Sequence, residues 1–359
     1  MESATMMTVE QFQTLLDLYE PIVDKNCRGL NLDGIDLSGQ IFEKVDFSGA
    51  SLRNTDLTET LFSECKLDSA NFSNAQFKKG MISSSVMQAA CFDGAKLVEH
   101  AIISCDLQHT SWDQTKLDSC AFSNTNFAGA KMHLEEAIKT TFHEVCLEST
   151  DFSDSYLELV IFFQNDLRQT LFTEVYFDRV VFTECNMAGM TFTNQTFEQC
   201  PFTLANLEHT KFNDCQMKMC NFQSASLCGS TFRQSDCSNI LLIEADLSQA
   251  AFVDCKMQQS IWMNALAVAV AVPGCDLTEA IFHYANCESG RFSNTNLTRT
   301  DFSFSNLRQV RFDNIRTQDT LFHGALISDS SLLRSPGAVA QQKHLAESDA
   351  WTKRQLPAI

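Results

Sequence analysis

The chain has 359 residues, 44% of them apolar, and carries a formal charge of −19 from 45 acidic and 26 basic residues. Its length allows one large domain or two to three ordinary ones. The acidic balance excludes the basic footprint that phosphate contacts need, and the longest apolar run, 265–272, is far short of the ~20 residues of a membrane-spanning helix. No direct nucleic-acid binding and no membrane insertion are therefore expected.

Phe dominates the aromatic residues, at 29 against 4 Tyr and 3 Trp, as if one site of fixed shape were used many times. The 15 cysteines are odd in number, and "MESATMMTVEQFQTLLDLYE" begins acidic, without the apolar core of a secretory signal. Free, mostly buried thiols in a reducing, cytoplasmic setting are expected.

At the amino end, Thr8 and Gln11 have capping-box spacing, and Phe12, Leu15, Leu16 and Tyr19 form an apolar stripe. A helix from about 9 to 19 follows, ended by Pro21, within a helical cap over 1–26 that covers the first coil of what comes next.

From 27 to 334 the sequence keeps a period of five. Large apolar residues fall at Leu32, Leu37, Phe42, Phe47, Leu52, Leu57 and Phe62, and the register runs on to Phe322, Ile327 and Leu332. Two residues before each stands a small one, such as Ala50, Thr55, Thr60 and Cys65. Neither a helix nor a flat strand keeps such residues on one side. A chain that turns a corner every five residues does, and its coils must stack to bury a core. "ADLSQ" at 245–249, "ANFSN" at 70–74 and "ANLEH" at 205–209 make the sequence similar to the pentapeptide-repeat family, with "TNLTR" at 295–299 close to the motif. The resemblance implies an all-β solenoid, a right-handed quadrilateral parallel β-helix of about 15 coils with four pentapeptides per coil. Residues twenty apart then stack, giving a Phe-rich column through Phe42, Phe62, Phe122 and Phe142 beside a Leu-rich one through Phe47, Leu67, Leu107 and Leu147.

Cys65, Cys105, Cys120, Cys185, Cys200, Cys215, Cys220, Cys255 and Cys275 fall on the small inward position, and Cys237 and Cys287 on the large one, as packing residues. His109, His133, His143, His209 and His283 fall outward, whereas His100 takes a small inward site and marks a local distortion. No metal site, catalytic triad, phosphate loop or cofactor site is expected, and the chain reads as a non-enzyme.

Two coils are irregular. In 131–141, Glu135 lands on the small inward position and Ala137 where a large residue belongs, so a bulge is expected, with Glu135 and Glu136 as candidate protein contacts. In 264–275, the run "LAVAVAVPG" puts Ala267 at a large site and replaces polar outward residues by Val268, Ala269 and Ala271, with Pro273 and Gly274 able to turn the chain. A weak or kinked coil there would carry an apolar contact patch of Val268, Ala269, Ala271 and Pro273. It abuts a charge boundary, because 234–290 holds seven acids against Lys256, and 291–316 holds Arg291, Arg299, Arg308, Arg311 and Arg316 against Asp301 and Asp313. Arg308 and Arg311 complete the candidate contacts. After 334 the register ends in a tail, 335–359, with a short helix near 337–350.

The reading is of a protein-binding scaffold whose partner is another protein, working as a monomer or as a dimer through one end of the rod. The resemblance implies a bacterial accessory or effector protein, cytoplasmic or delivered by a secretion system. The alternative it implies is a DNA mimic that inhibits or protects DNA gyrase or a related topoisomerase, which the acidic charge fits.

Overall fold

The protein is described from a computed structural model over residues 6–328, 332–342 and 346–347. The chain divides into two units, Met1–Asn186 and Met187–Ile359. Each is a parallel β-solenoid, and together they make about 16 turns.

The winding rests on one backbone choice per pentapeptide. The second residue after nearly every large inward one is left-handed: φ is 57° at Asn54, 56° at Glu59 and 53° at Glu64, and 57° at Glu244, 59° at Gln249 and 54° at Asp254 in the second unit. That conformation costs a non-glycine residue roughly 1–2 kcal/mol. Among the described residues ten glycines and eight Asn take it at little cost, but Glu takes it as often as Asn, so the stack imposes the corner on residues that have no preference for it. Between corners the chain is extended and bonds to the coils on either side. The N–H of Leu52 reaches the carbonyl of Asn71 at 2.7 Å, and that of Ser51 reaches back to Leu30 at 2.8 Å. The resulting register is twenty residues, with Phe42 opposite Phe62 and Phe122 opposite Phe142.

One face of the first unit is a ladder of short strands from Ile22–Val23 through Ile41–Glu43 and Leu61–Ser63 to Val181–Thr183. A face of the second unit runs from Thr191–Thr193 through Ala251–Val253 and Ala271–Pro273 to Arg311–Asp313. The interior stacks rings on rings. Phe122, Phe142 and Phe162 are spaced at 5.0 and 5.2 Å, and Trp262, Phe282 and Phe302 at 4.8 and 4.7 Å.

The two other recurrent positions have their own causes. The Asp or Asn before each large residue accepts the N–H two residues on, as Asp36 does from Ser38 at 2.9 Å, which is the local bond that suits these side chains to turns. The hydroxyl and N–H of Ser38 hold the Asp36 carboxyl below its ordinary range. At the small position, Thr60 donates its hydroxyl to the Leu37 carbonyl at 2.8 Å and the Cys220 thiol donates to Phe197 at 3.3 Å. These small residues satisfy a carbonyl as well as filling space.

The amino-terminal helix, α1, spans Val9–Leu16 and carries both bonds of the capping box between Thr8 and Gln11. Phe12 closes the first coil, its ring 6.2 Å from Phe42 and 6.0 Å from Phe47. The helix stops short of 19 because Tyr19 turns left-handed, with φ 55°, and leaves the stripe for solvent. The coil register starts at Ile22, earlier than the expected 27.

Three expectations need correction. Glu135 is not on the inward position. The tight turn of the neighbouring coils is opened at 132–134, where the Leu134 N–H bonds to Met132 at 2.9 Å, and Leu134 is buried in its place. A large residue at the small site and Ala137 at the large one conserve the volume of the coil, and the carboxylate is spared burial. The coil 264–275 is unusual in content but not in backbone. Ala267 and Ala269 bond to Asn286 and Glu288 at 2.7 and 2.8 Å, and Ala271 bonds to Ala250 at 2.9 Å. The small Ala267 follows the bulky Trp262 in the same coil, which keeps the core filled. At the carboxyl end, Ala338–Val339 is a strand paired with Thr320–Leu321 where a helix is expected, Gly337 making the turn into it with φ 82°. Within the rest of the expected helix at 337–350, Ala346 and Glu347 are helical, the Ala346 N–H bonding to Gln342 at 2.9 Å, and the remainder of the 335–359 tail lies largely outside the described residues.

His100 causes no break in the ladder. Its carbonyl accepts Ala121 at 3.0 Å, and a Cβ at Gly80, on the preceding coil, would sit 3.1 Å from its ring, so glycine makes its room. Burial pushes its pKa down to about 3, and among the described residues neither ring nitrogen has a hydrogen-bond partner. His100 is therefore neutral in the fold and protonates freely when unfolded. Its contribution is complete above about pH 6.5 and is lost as the pH falls toward 3. Urea unfolding at pH 7 and pH 5 should differ by roughly 2 kcal/mol more in the native chain than in His100→Ala. An equal pH dependence in the two would refute this assignment.

Candidate functional site

The core is filled, so any site is built from outward residues. In each pentapeptide these are the two that flank the large residue and the left-handed one at the corner. In the second unit, one face is unlike the rest. Its ladder places Leu241, Ile261 and Ile281 in register on successive coils, between Asn221 and Asp301. Beside it run Ile243, Met263 and His283, stacked through bonds from Ser224 to Ile243, Glu244 to Met263 and Asn264 to His283. At the corner Tyr284, 59% exposed, stacks on Phe304 with centroids 5.2 Å apart. The sequence reading missed this face. Its signal is there in "LLI", "IWM" and "IFHY", where residues flanking the inward position are Leu, Ile and Met instead of polar.

The expected patch lies around the corner of the same coil. Val268 is half-buried and Ala269 exposed, while Ala271 and Pro273 are half-buried on the strand Ala271–Pro273. Leu266, 42% exposed, extends it. No charged residue occurs from 257 to 275, so this whole coil is an uncharged belt.

Arg308 and Arg311 are exposed two coils further on, Arg311 in register with Arg291. Among the described residues no carboxylate lies within ion-pair distance of Arg291, Arg308 or Arg311. The charge boundary is partly neutralised where it meets: Arg299 holds Glu279 at 2.6 Å, and His283 Nε2 lies 2.7 Å from Asp301. Glu135 and Glu136 belong to the first unit, where both meet Lys116, at 2.6 and 3.5 Å. They form a local ion cluster instead of a free anionic site.

Pockets among the described residues include two near the ends of the chain and one of about 160 Å³ beside Cys146, Glu148 and Asp166. One of about 450 Å³ lies beside α1 and the first coil, lined by Gln13, Leu16, Tyr19, Gly34 and Gln40. One of about 120 Å³ near the carboxyl end is lined by Leu307, Val310, Phe312, Ile315 and Ile327. The pocket beside α1 also holds Asp17, Asp36 and Ser38, but Ser38 is engaged in the turn bond to Asp36, and among the described residues no His, Lys or Cys lines it. Among the described residues no cluster of His, Cys, Asp or Glu could hold a metal ion, and no helix is long and apolar enough to cross a membrane.

Family profiles match more than half of the chain. A pentapeptide repeat region covers residues 155–232, and pentapeptide repeats cover 26–58, 46–80, 103–133, 220–259 and 275–314. No curated protein matches. Similar solved structures include a trypsin-treated form of QnrB1, a plasmid-mediated fluoroquinolone resistance protein, at 18% identity over 50% of this chain and 97% of that one, with a TM-score of 0.28. HetL, a pentapeptide repeat protein involved in heterocyst differentiation regulation in the cyanobacterium Nostoc, is 15% identical over 88% and 97%, with a TM-score of 0.16. Rfr23 from the cyanobacterium Cyanothece is 17% identical over 41% and 91%, with a TM-score of 0.13. Identities and superpositions this low carry no argument about function.

All fifteen cysteines are free thiols, and only Cys146 is exposed. Burial pushes the Cys185, Cys220 and Cys287 thiols up to about 12, which removes the thiolate that reacts. Iodoacetamide on the native protein should label Cys146 well before these three, read by peptide mass spectrometry. Equal labelling of Cys287 would show the core open.

Proposed function

The chain is a member of the pentapeptide-repeat family, and on that premise we propose that it is a non-enzymatic protein-binding scaffold. The observation that carries this reading is the sidedness of the second unit. On a chain of charge −19, outward side chains of Leu241, Ile243, Ile261, Met263 and Ile281 stand together on one regular face. Contiguous apolar surface of this kind marks contact sites on soluble proteins. The solenoid holds it rigidly, so little ordering cost is left for association.

A second reading, mimicry of DNA to inhibit or protect gyrase, is favoured by the charge alone. It calls for carboxylates spread over a polar surface, which the apolar face of the second unit interrupts.

Affinity capture with the intact chain, followed by reconstitution from purified components, tests the choice. The scaffold reading expects one discrete partner that forms a stoichiometric complex by analytical ultracentrifugation, and no effect on gyrase supercoiling at about micromolar protein. Inhibited supercoiling with no reconstituted partner would reverse the order of the two readings.

A further inference from the structure

We infer that the Leu241–Ile261–Ile281 face of the second unit docks a cationic, amphipathic protein segment, with apolar side chains bordered by Lys or Arg. The inference rests on the protein-binding reading and names the partner's chemistry.

The apolar side chains are not demanded by the fold. The same ladder holds Asn221 one coil earlier and Asp301 one coil later, with the backbone pairing unchanged. Three successive coils, at about 4.8 Å per step, have instead collected Leu, Ile and Met on both flanks of the inward residue in the first two, and Ile281 with His283 in the third. Tyr284 and Phe304 form an aromatic shelf at one corner, and Leu266 and Val268 continue the apolar surface onto the next face.

Charge decides the occupant. Glu244 stands at the corner of this face and Asp246 just beyond it, with Glu288 further along that side and Asp276 on the opposite side. Among the described residues none of these four has a cation within ion-pair distance. Asp236 and Glu279, by contrast, are held by Lys218, Lys256 and Arg299. The face itself carries no Lys or Arg from 241 to 284, but Lys256 stands in register with Asp276 on that side of the coil, so the purely anionic rim is the Glu244, Asp246 and Glu288 side. An apolar strip with an unpaired anionic rim matches a segment with the inverse pattern. A second copy fits poorly, because a two-fold would set the Glu244–Asp246 rim against its own like charges. An anionic lipid surface is repelled by the same rim.

The probe is an amphipathic helical peptide of about 20 residues with Leu on one side and Lys on the other, followed by fluorescence anisotropy with the full-length protein. Its control carries Glu in place of Lys. The double variant Ile261→Asn with Met263→Gln removes the apolar contact using residue types the ladder already accepts, as at Asn221. Glu244→Gln with Asp246→Asn removes rim charge, and Asn keeps the turn bond that Asn206 makes to Glu208 at 3.1 Å. We expect the Leu/Lys peptide to bind the native chain and the Leu/Glu control not to. Affinity should fall about tenfold or more in the apolar variant, and the salt dependence should flatten in the rim variant.

Equal affinity for the native chain and the apolar variant overturns the proposal. So does equal binding of the Leu/Glu peptide, or a native dimer that the apolar variant dissociates. A captured partner whose binding ignores both variants also overturns it, while leaving protein binding intact. Selective peptide binding without any captured partner supports the face and counts against the scaffold reading alone.

Discussion

The constraint on which the rest depends is the closure of each coil by the next one, twenty residues along. Within a coil the backbone of the described residues makes only turn bonds such as Ala50 to Phe47, so the N–H of Leu52 must find Asn71 and that of Ser51 must find Leu30. Buried backbone groups without partners are costly. Any change in coil length would strand them along the whole stack. The left-handed corner, one residue in five, is the device that keeps the length fixed, and the stacking of coils is what offsets its cost.

The same constraint settles where chemistry can happen. Among the described residues Phe, Leu and Trp fill the inside, and Thr, Cys and Ser are bonded to inner carbonyls. Variation is confined to the outward residues and the corners, and it is there that the second unit departs from its own rule. Polar positions around Trp262 have become apolar, while Glu244, Asp246 and Glu288 beside them accept neutral hydrogen bonds and, among the described residues, have no cation within ion-pair distance. A fold that asks so little of its outer residues lets such a face arise without disturbing the core.

The architecture was legible in the sequence because period five matches no helix or strand, and because the register passes through both odd coils without slipping. The capping box at Thr8 and Gln11 was equally plain. The left-handed corners were not, since Glu59, Lys79 and Leu159 have no preference for that conformation and take it only from the stack. Glu135 was misplaced because a strict register cannot anticipate that Leu134 will exchange places with it to keep the charge in water. The Ala–Val run drew the sequence reading to Val268, Ala269, Ala271 and Pro273, on other sides of the coil that carries Ile261 and Met263. Val268 and Ala269 stand out in a linear reading, whereas Leu241, Ile261 and Ile281 become one surface only when residues twenty apart are brought together. Arg308 and Arg311, expected as protein contacts beside a charge boundary, are exposed, and that boundary is partly neutralised through Arg299 and Glu279.

The central claim is that the twenty-residue column, and not the pentapeptide alone, is the unit that specifies this fold. Thermal unfolding of two deletions tests it. Removing residues 206–225 takes out one coil and leaves every column aligned. Removing 206–210 preserves the period of five but sets Leu227 and Leu247 into the column of Phe202. The account predicts a cooperative transition for the first, within a few degrees of the native chain, and a loss of about 10 °C or more for the second. Equal stability of the two would contradict it.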